Sequence, residues 1–145
     1  MIITVRGIPA PQGSKRHVGG GRMIEMSKAV GPWREAVRAE TQRAMNGDGP
    51  LSGAVSVIAD FALPRPKSHY RTGANAALLR TGAPRWPSGK PDLDKLARAL
   101  LDGLTAGGAW GDDAQAVQII TCKSYAGNGT MPGCTIEIRD MNGEA

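Results

Sequence analysis

Three aspartates carry the chemistry that this sequence can be read for. Asp92 and Asp94 flank Leu93, and the pair Asp112-Asp113 follows after one apolar stretch and a Gly-rich turn. If the segment at 91–94 is extended, Asp92 and Asp94 project to one side, since i and i+2 share a face. A helix over 93–105 is roughly 18–20 Å long. The eight residues back from 105 to 113 span up to about 25 Å, so Asp113 can return to the side of Asp92 and Asp94. Hard divalent cations take oxygen ligands, and Mg²⁺ is typically held by one or two carboxylates, water and a substrate phosphate. Without a cation the three carboxylates would repel and at least one would take up a proton. Taken singly, each acid has a plainer reading. Asp94 suits a helix N-cap, Asp112 a turn, and Asp102 a pair with Arg98 at i, i+4. None of these accounts for Asp92, Asp94 and Asp113 together.

The charge around them is uneven. Residues 1–91 hold 14 Lys and Arg against 5 Asp and Glu, and residues 92–145 hold 4 against 8. Two windows contain no acid. The first has Arg6, Lys15, Arg16 and Arg22; the second has Arg65, Lys67, Arg71, Arg80, Arg85 and Lys90. Uncompensated basic segments attract polyanions, with nucleic acid the natural partner. Tyr70 and Trp86 in the second window are able to stack on bases; packing of Trp86 as the anchor of its loop is the plainer expectation.

Other chemistries are excluded. The glycines at 19–21 lack the Gly-Lys-Ser/Thr of a phosphate-binding P-loop. His17, His69, Cys122 and Cys134 show no zinc-ligand spacing. No stretch approaches the ~18 apolar residues of a membrane span, and the N-terminus lacks the pattern of a secretory signal. A cytoplasmic protein with reduced, core-buried cysteines is expected.

The elements that must position these residues follow from periodicity. Residues 2–6 read as a strand, 9–21 as a basic loop and 22–26 as a short strand. Ser27 is placed to cap a helix running to about 45, or the helix starts at Gly31 so that Pro32 falls in its first turn. Val30, Trp33, Val37, Thr41 and Ala44 form its buried stripe. Residues 54–63 alternate, with Val55, Val57, Ala59 and Phe61 on one face. Residues 64–91 form a long Pro-rich loop with a short helix at 75–80, long enough to be functional. Leu93, Leu96, Ala97, Leu100, Leu101 and Leu104 give the clearest helical stripe, ended by Gly107-Gly108. Residues 115–125 and 134–139 read as two strands forming a hairpin. The whole is one α/β (α+β) domain over residues 1–145, a mixed β-sheet packed with two main helices.

Residues 90–119, KPDLDKLARALLDGLTAGGAWGDDAQAVQI, resemble the central motif of the RusA family of Holliday-junction resolvases. That motif runs Asp-Leu-Asp into a Leu-rich helix ending in Leu-Asp-Ala-Leu, then a Gly turn and Asp-Asp-x-Gln-Val. Residues 8–15 (IPAPQGSK) and 65–70 (RPKSHY) resemble segments of phage-encoded members. The resemblance implies a homodimeric, Mg²⁺-dependent endonuclease, with Mn²⁺ able to substitute, that nicks four-way DNA junctions symmetrically in recombination and repair. It places Asp92, Asp94 and Asp113 on the metal-binding carboxylates. Arg98 falls where a Lys is usual and Lys95 where Asn is common. Arg stays protonated, so charge stabilisation at the phosphate is implied for Arg98 rather than acid catalysis.

The reading is therefore metal-assisted phosphodiester hydrolysis at Asp92, Asp94, Asp113 and Arg98. Branched DNA would be held by Lys15, Arg16, Arg22, Lys67, Arg71, Arg85, Lys90 and Lys95. A bacterial cytoplasm, with the chain encoded by phage or prophage, is the implied setting. The competing readings are a non-catalytic DNA-binding accessory protein and a metal nuclease acting on other branched DNA or on RNA.

Overall fold

The alternation of β-branched and polar residues in Ile2–Arg6 makes β1, with Ile3 and Val5 buried. The computed structural model describes residues 1–13, 15–17, 23–25, 28–127 and 129–143. Two short strands, β2 (Lys15–His17) and β3 (Met23–Glu25), pair antiparallel. The basic loop expected over 9–21 thus contains a strand of its own. Helix α1 (Val30–Met45) buries Val30, Trp33, Val37, Thr41 and Met45. The stripe therefore ends on Met45, with Ala44 exposed. Pro32 falls in the first turn, where its missing N–H costs nothing. Ala29 occupies the N-cap position without a side-chain bond, and Ser27 lies outside the described residues.

Strand β4 (Val55–Leu63) turns Val55, Val57, Ala59, Phe61 and Leu63 into the core, as its alternation predicts. Helix α2 (Leu93–Ala106) follows the long loop, then β5 (Ala116–Tyr125) and β6 (Gly133–Asp140). The sheet order is β1-β6-β4-β5. Strand β6 runs antiparallel to both β1 and β4, while β5 runs parallel to β4. The sheet is mixed, as expected, but β5 and β6 are not a hairpin. They lie on opposite sides of β4, which supplies the apolar row that both need. The two cysteines are consequently unlike: Cys134 is buried opposite Phe61, whereas Cys122 is exposed on β5.

Both helices cover the Val55/Val57/Ala59/Phe61 face. Leu96, Ala99, Leu100 and Leu104 of α2 are fully buried there, each leucine contributing about 1.5–3 kcal/mol by leaving water. Close approach of α1 and α2 requires glycine. A Cβ on Gly103 would stand 2.7 Å from Val37, and one on Gly107 would stand 2.6 Å from Thr41. Leu93, Ala97 and Leu101, expected in the same apolar face, are half-buried and border a cleft between α2 and β5.

Residues 64–91 contain 3₁₀ turns at Lys67–His69 and Gly73–Asn75, not a helix at 75–80. A bridge between Tyr70 and Leu79 folds the loop on itself. Three arginines tie it to its own carbonyls: Arg65 to Pro84, Arg71 to Leu79 and Arg80 to Tyr70. Trp86 is 53% exposed, with the Arg85 guanidinium over its ring. The expected anchoring role of Trp86 is not met; Pro87 is the buried residue beside it.

Candidate active site

Helix α2 carries a second stripe at the same period as its leucines. Asp94, Arg98, Asp102 and Thr105 stand at i, i+4, i+8 and i+11, and so share one face. Two of them, Asp94 and Arg98, join Leu93, Ala97, Leu101, Asp113, Ile119 and Thr121 around a cleft of about 550 Å³. Residues far apart in the chain, Asp94 and Asp113, thus meet across one opening, as the lengths of the connecting segments allow.

Asp113 is delivered by a capped turn. After α2, Gly107-Gly108 reverses the chain, and Asp112 caps the 3₁₀ turn Asp113–Gln115. The Asp112 carboxylate accepts from the Ala114 N–H at 2.8 Å. The Gln115 carbonyl accepts from the N–H groups of Gly111 and Asp112, and its amide donates to Leu51 and Gly53. Asp112 is therefore occupied by the turn, and Asp113 is the acid of the pair that lines the cleft. Thr105 donates its hydroxyl hydrogen to Asp113 and accepts from the Trp110 indole N–H at 2.8 Å. Buried Trp110 thereby fixes the Thr105 rotor, which in turn fixes one oxygen of Asp113.

Asp92 stands apart from this pair. The chain is already helical at Leu93, so the extended alternation expected to place Asp92 beside Asp94 ends one residue too soon. Asp92 occupies the N-cap position of α2 with extended backbone, Asp94 lies in the first turn, and the two line different cavities. Asp92 borders a cavity of about 330 Å³ with Pro9, Pro11, Lys90 and Lys95, and pairs with Lys95 at 3.5 Å. This ion pair is exposed and contributes little.

Asp102 is the residue that sequence reasoning misassigned. It does not pair with Arg98 but faces Gln12, Asp113 and Arg34. Burial pushes its carboxyl above the ordinary carboxylate range; the Gln12 hydrogen bond opposes this, Asp113 reinforces it, and Arg34 offsets it in part. Arg98 instead lies along the loop after β1, where a Cβ on Gly13 would stand 2.7 Å from its guanidinium nitrogen Nη1. Thr105 and Asp102 border Asp113 without having been expected there, and the sequence signal for both is the polar stripe of α2 at the same period as its leucines.

The donor set here is all oxygen. Among the described residues, no three Asp, Glu, His or Cys side chains lie close enough to cage an ion as they stand. Asp94 and Asp113 line the same cleft. Two carboxylates with water and substrate oxygens completing the shell are what a hard divalent cation takes, so the residues present fit such an ion.

The basic residues surround this region unevenly. Lys67, Arg71, Arg85 and Lys90 are exposed on the long loop, and Lys95 is half-buried on α2. The backbone of Lys90 is held from below: Lys123 of β5 donates to the carbonyls of Gly89 and Pro91 at 2.7 and 2.8 Å. Lys15 and Arg16 lie in β2 and are described by their strand pairing alone; Arg22 lies outside the described residues.

A protein-family model described as endodeoxyribonuclease RusA matches residues 6–139. No curated protein matches the chain.

Proposed function

The chain belongs to the RusA family of endodeoxyribonucleases, which resolve Holliday junctions, and from that premise we propose a division of labour among its residues. Asp94 and Asp113 hold Mg²⁺, with Mn²⁺ as substitute, and Asp92 joins them when the substrate is bound. The observation that carries this reading is the shared cleft of Asp94, Arg98 and Asp113. A bound divalent cation supplies Lewis-acid polarisation of the scissile phosphate and a water of lowered pKa. The Thr105 hydroxyl keeps Asp113 turned to the cleft. The Arg98 guanidinium balances charge that grows on the phosphate oxygens; permanently protonated, it does not act as the acid.

Branched DNA is the substrate class of the family. Phosphate contacts are assigned to Lys67, Arg71, Arg85, Lys90 and Lys95, with Lys15, Arg16 and Arg22 continuing the basic surface. Such contacts position the duplex arms without reading sequence. Exposed Trp86, inside the same loop, offers a face on which an unpaired base can stack. Residues 1–145 act as one domain. Bacterial cytoplasm, with phage or prophage origin, is part of the same proposal and accords with two free cysteines. No described helix is long and apolar enough to cross a membrane.

A second copy of the chain completes the enzyme. A four-way junction carries two scissile strands related by symmetry, and a two-fold dimer matches it. The free edge of β5 is the proposed contact. Val117, Ile119 and Ile120 are 62%, 41% and 52% exposed there, on a strand paired only with β4 among the described residues. An apolar unpaired edge is a ready surface for pairing.

The test is cleavage of four-way junction, duplex, flap and single strand with Mg²⁺ present. Paired nicks in the junction alone are expected. Binding without nicks at every metal concentration would favour an accessory protein. Preference for another branched DNA, or for RNA, would redirect the substrate.

A further inference from the structure

The entry to α2 is not held by its own cap. Asp92 occupies the N-cap position, yet its carboxylate makes no capping hydrogen bond. An N-cap aspartate ordinarily accepts from an N–H two or three residues on, and so fixes where the helix begins. Here the Asp92 side chain pairs with Lys95 at 3.5 Å, while its carbonyl accepts from the Leu96 N–H at 3.1 Å.

The neighbouring sheet supplies the restraint instead. Ile119, Thr121 and Lys123 alternate along β5 and share one of its faces. The first two line the cleft with Asp94 and Asp113. Lys123 stands at the end of that row and reaches the chain just ahead of α2. Its ammonium donates to the Gly89 carbonyl at 2.7 Å and to the Pro91 carbonyl at 2.8 Å. Two acceptors that converge on one point suit a compact ammonium with three protons. Hydrogen bonds from a charged donor are roughly twice as strong as neutral ones. Pro91 adjoins Asp92 and precedes Asp94 by one further turn of chain, so the clamp fixes the backbone from which both carboxylates spring.

We propose that Lys123 is a positioning residue of the nuclease site. Its ammonium takes the anchoring role of an N-cap, which leaves the Asp92 carboxylate out of the cap and holds Asp94 in register with Asp113 for a divalent cation. The inference rests on the reading of Asp92, Asp94 and Asp113 as cation ligands. Lys123 acts through the backbone of residues 89–91 and not on the DNA.

The experiment compares the full-length chain with Lys123→Met, which keeps the aliphatic stem and removes the donors. In hydrogen exchange without metal, residues 89–97 should lose protection while α1 and β4 keep theirs. In calorimetric titration of the DNA-free chain, Mn²⁺ affinity should fall by about tenfold or more, as it does when a group that orients metal ligands is lost. Affinity for a four-way junction in EDTA, and its dependence on salt, should stay at the parent's values. Arg65→Met is the contrast. Arg65 pins the start of the same loop, its guanidinium 4.2 Å from the centre of the Tyr125 ring and bonded to the Pro84 carbonyl at 2.7 Å. Its loss should loosen the loop and leave Mn²⁺ affinity unchanged. Parent-like exchange or parent-like Mn²⁺ affinity in Lys123→Met overturns the proposal. So do protection lost throughout the chain, equal weakening in Arg65→Met, or a parent that binds no Mn²⁺. A salt slope reduced by about one ion overturns it too, because Lys123 would then be a phosphate ligand. Should Lys123→Met not fold, the shorter Lys123→Gln is measured in the same way, and parent-like exchange or Mn²⁺ affinity overturns the proposal. Junction nicking is measured alongside. A parent that binds Mn²⁺ in a Lys123-dependent way but nicks nothing refutes the nuclease reading alone. A parent that nicks while Lys123→Met binds Mn²⁺ normally refutes the positioning role alone.

Discussion

Single side chains set the two carboxylates of the Asp112-Asp113 pair apart. Asp112 spends its oxygens on the turn, and Asp113 faces the cleft under Thr105. Asp113→Asn should abolish nicking and leave junction binding intact, measured by cleavage and by mobility shift. Asp112→Asn should retain most nicking; Asp112→Ala should cost about 1 kcal/mol of stability in urea unfolding, as capping residues do. The reverse ranking would transfer the site to Asp112. The cysteines give a second test at this scale. Burial, with a smaller push from Asp60, raises the Cys134 thiol to about 12, so it is protonated throughout the neutral range and only becomes a thiolate as pH rises through that value. Maleimide at pH 8 should therefore label exposed Cys122 and spare Cys134 in the folded chain. Two labels per native chain would contradict the burial of Cys134.

At the scale of elements, the contact between α1 and α2 sets where the site's helix can lie. Gly103 has no room for a side chain beside Val37. Gly103→Ala should destabilise by about 1–3 kcal/mol through overpacking, read from the denaturation midpoint, with a further loss of nicking because α2 carries Asp94, Arg98 and Asp102. An unchanged midpoint would mean the helices separate freely. The elements were legible in the sequence where periodicity was local and strong. Leucines 96, 100 and 104 announced α2, and Val55, Val57, Ala59 and Phe61 announced β4 with the correct buried face. Partner choice was not legible. Nothing in residues 116–140 says that β4 separates β5 from β6, because a strand's neighbour is decided by which apolar row fits it rather than by its own alternation. The site was half legible for a related reason. The spacing foretold that Asp94 and Asp113 meet, but the divergence of Asp92 depended on the residue at which helical backbone begins, and helix ends are weakly encoded. Gln12 and Asp102 lie on different elements, and no linear pattern joins them.

The whole molecule carries a cationic loop tied to β5 through Lys123 and, on the same strand, exposed apolar side chains. Changing Lys67, Arg71 and Lys90 together to Gln should reduce the slope of log affinity against log salt by about three ions' worth, since each lost phosphate contact releases one counterion fewer. An unaltered slope would show that the long loop does not touch DNA. On the apolar edge, Ile120→Lys should shift the chain toward a monomer in sedimentation analysis and abolish paired nicking. A dimer that survives this change would place the two-fold elsewhere.

The placement of β6 has a consequence for how the molecule is assembled. In chain order it is the last strand of the sheet, yet in space it sits between β1 and β4. A growing or truncated chain that stops before residue 133 lacks the strand that β1 pairs with, so the sheet cannot close on that side until translation has passed that point. Docking of the first strand against the last is therefore a late event of assembly, and pairing over so long a stretch of chain slows folding.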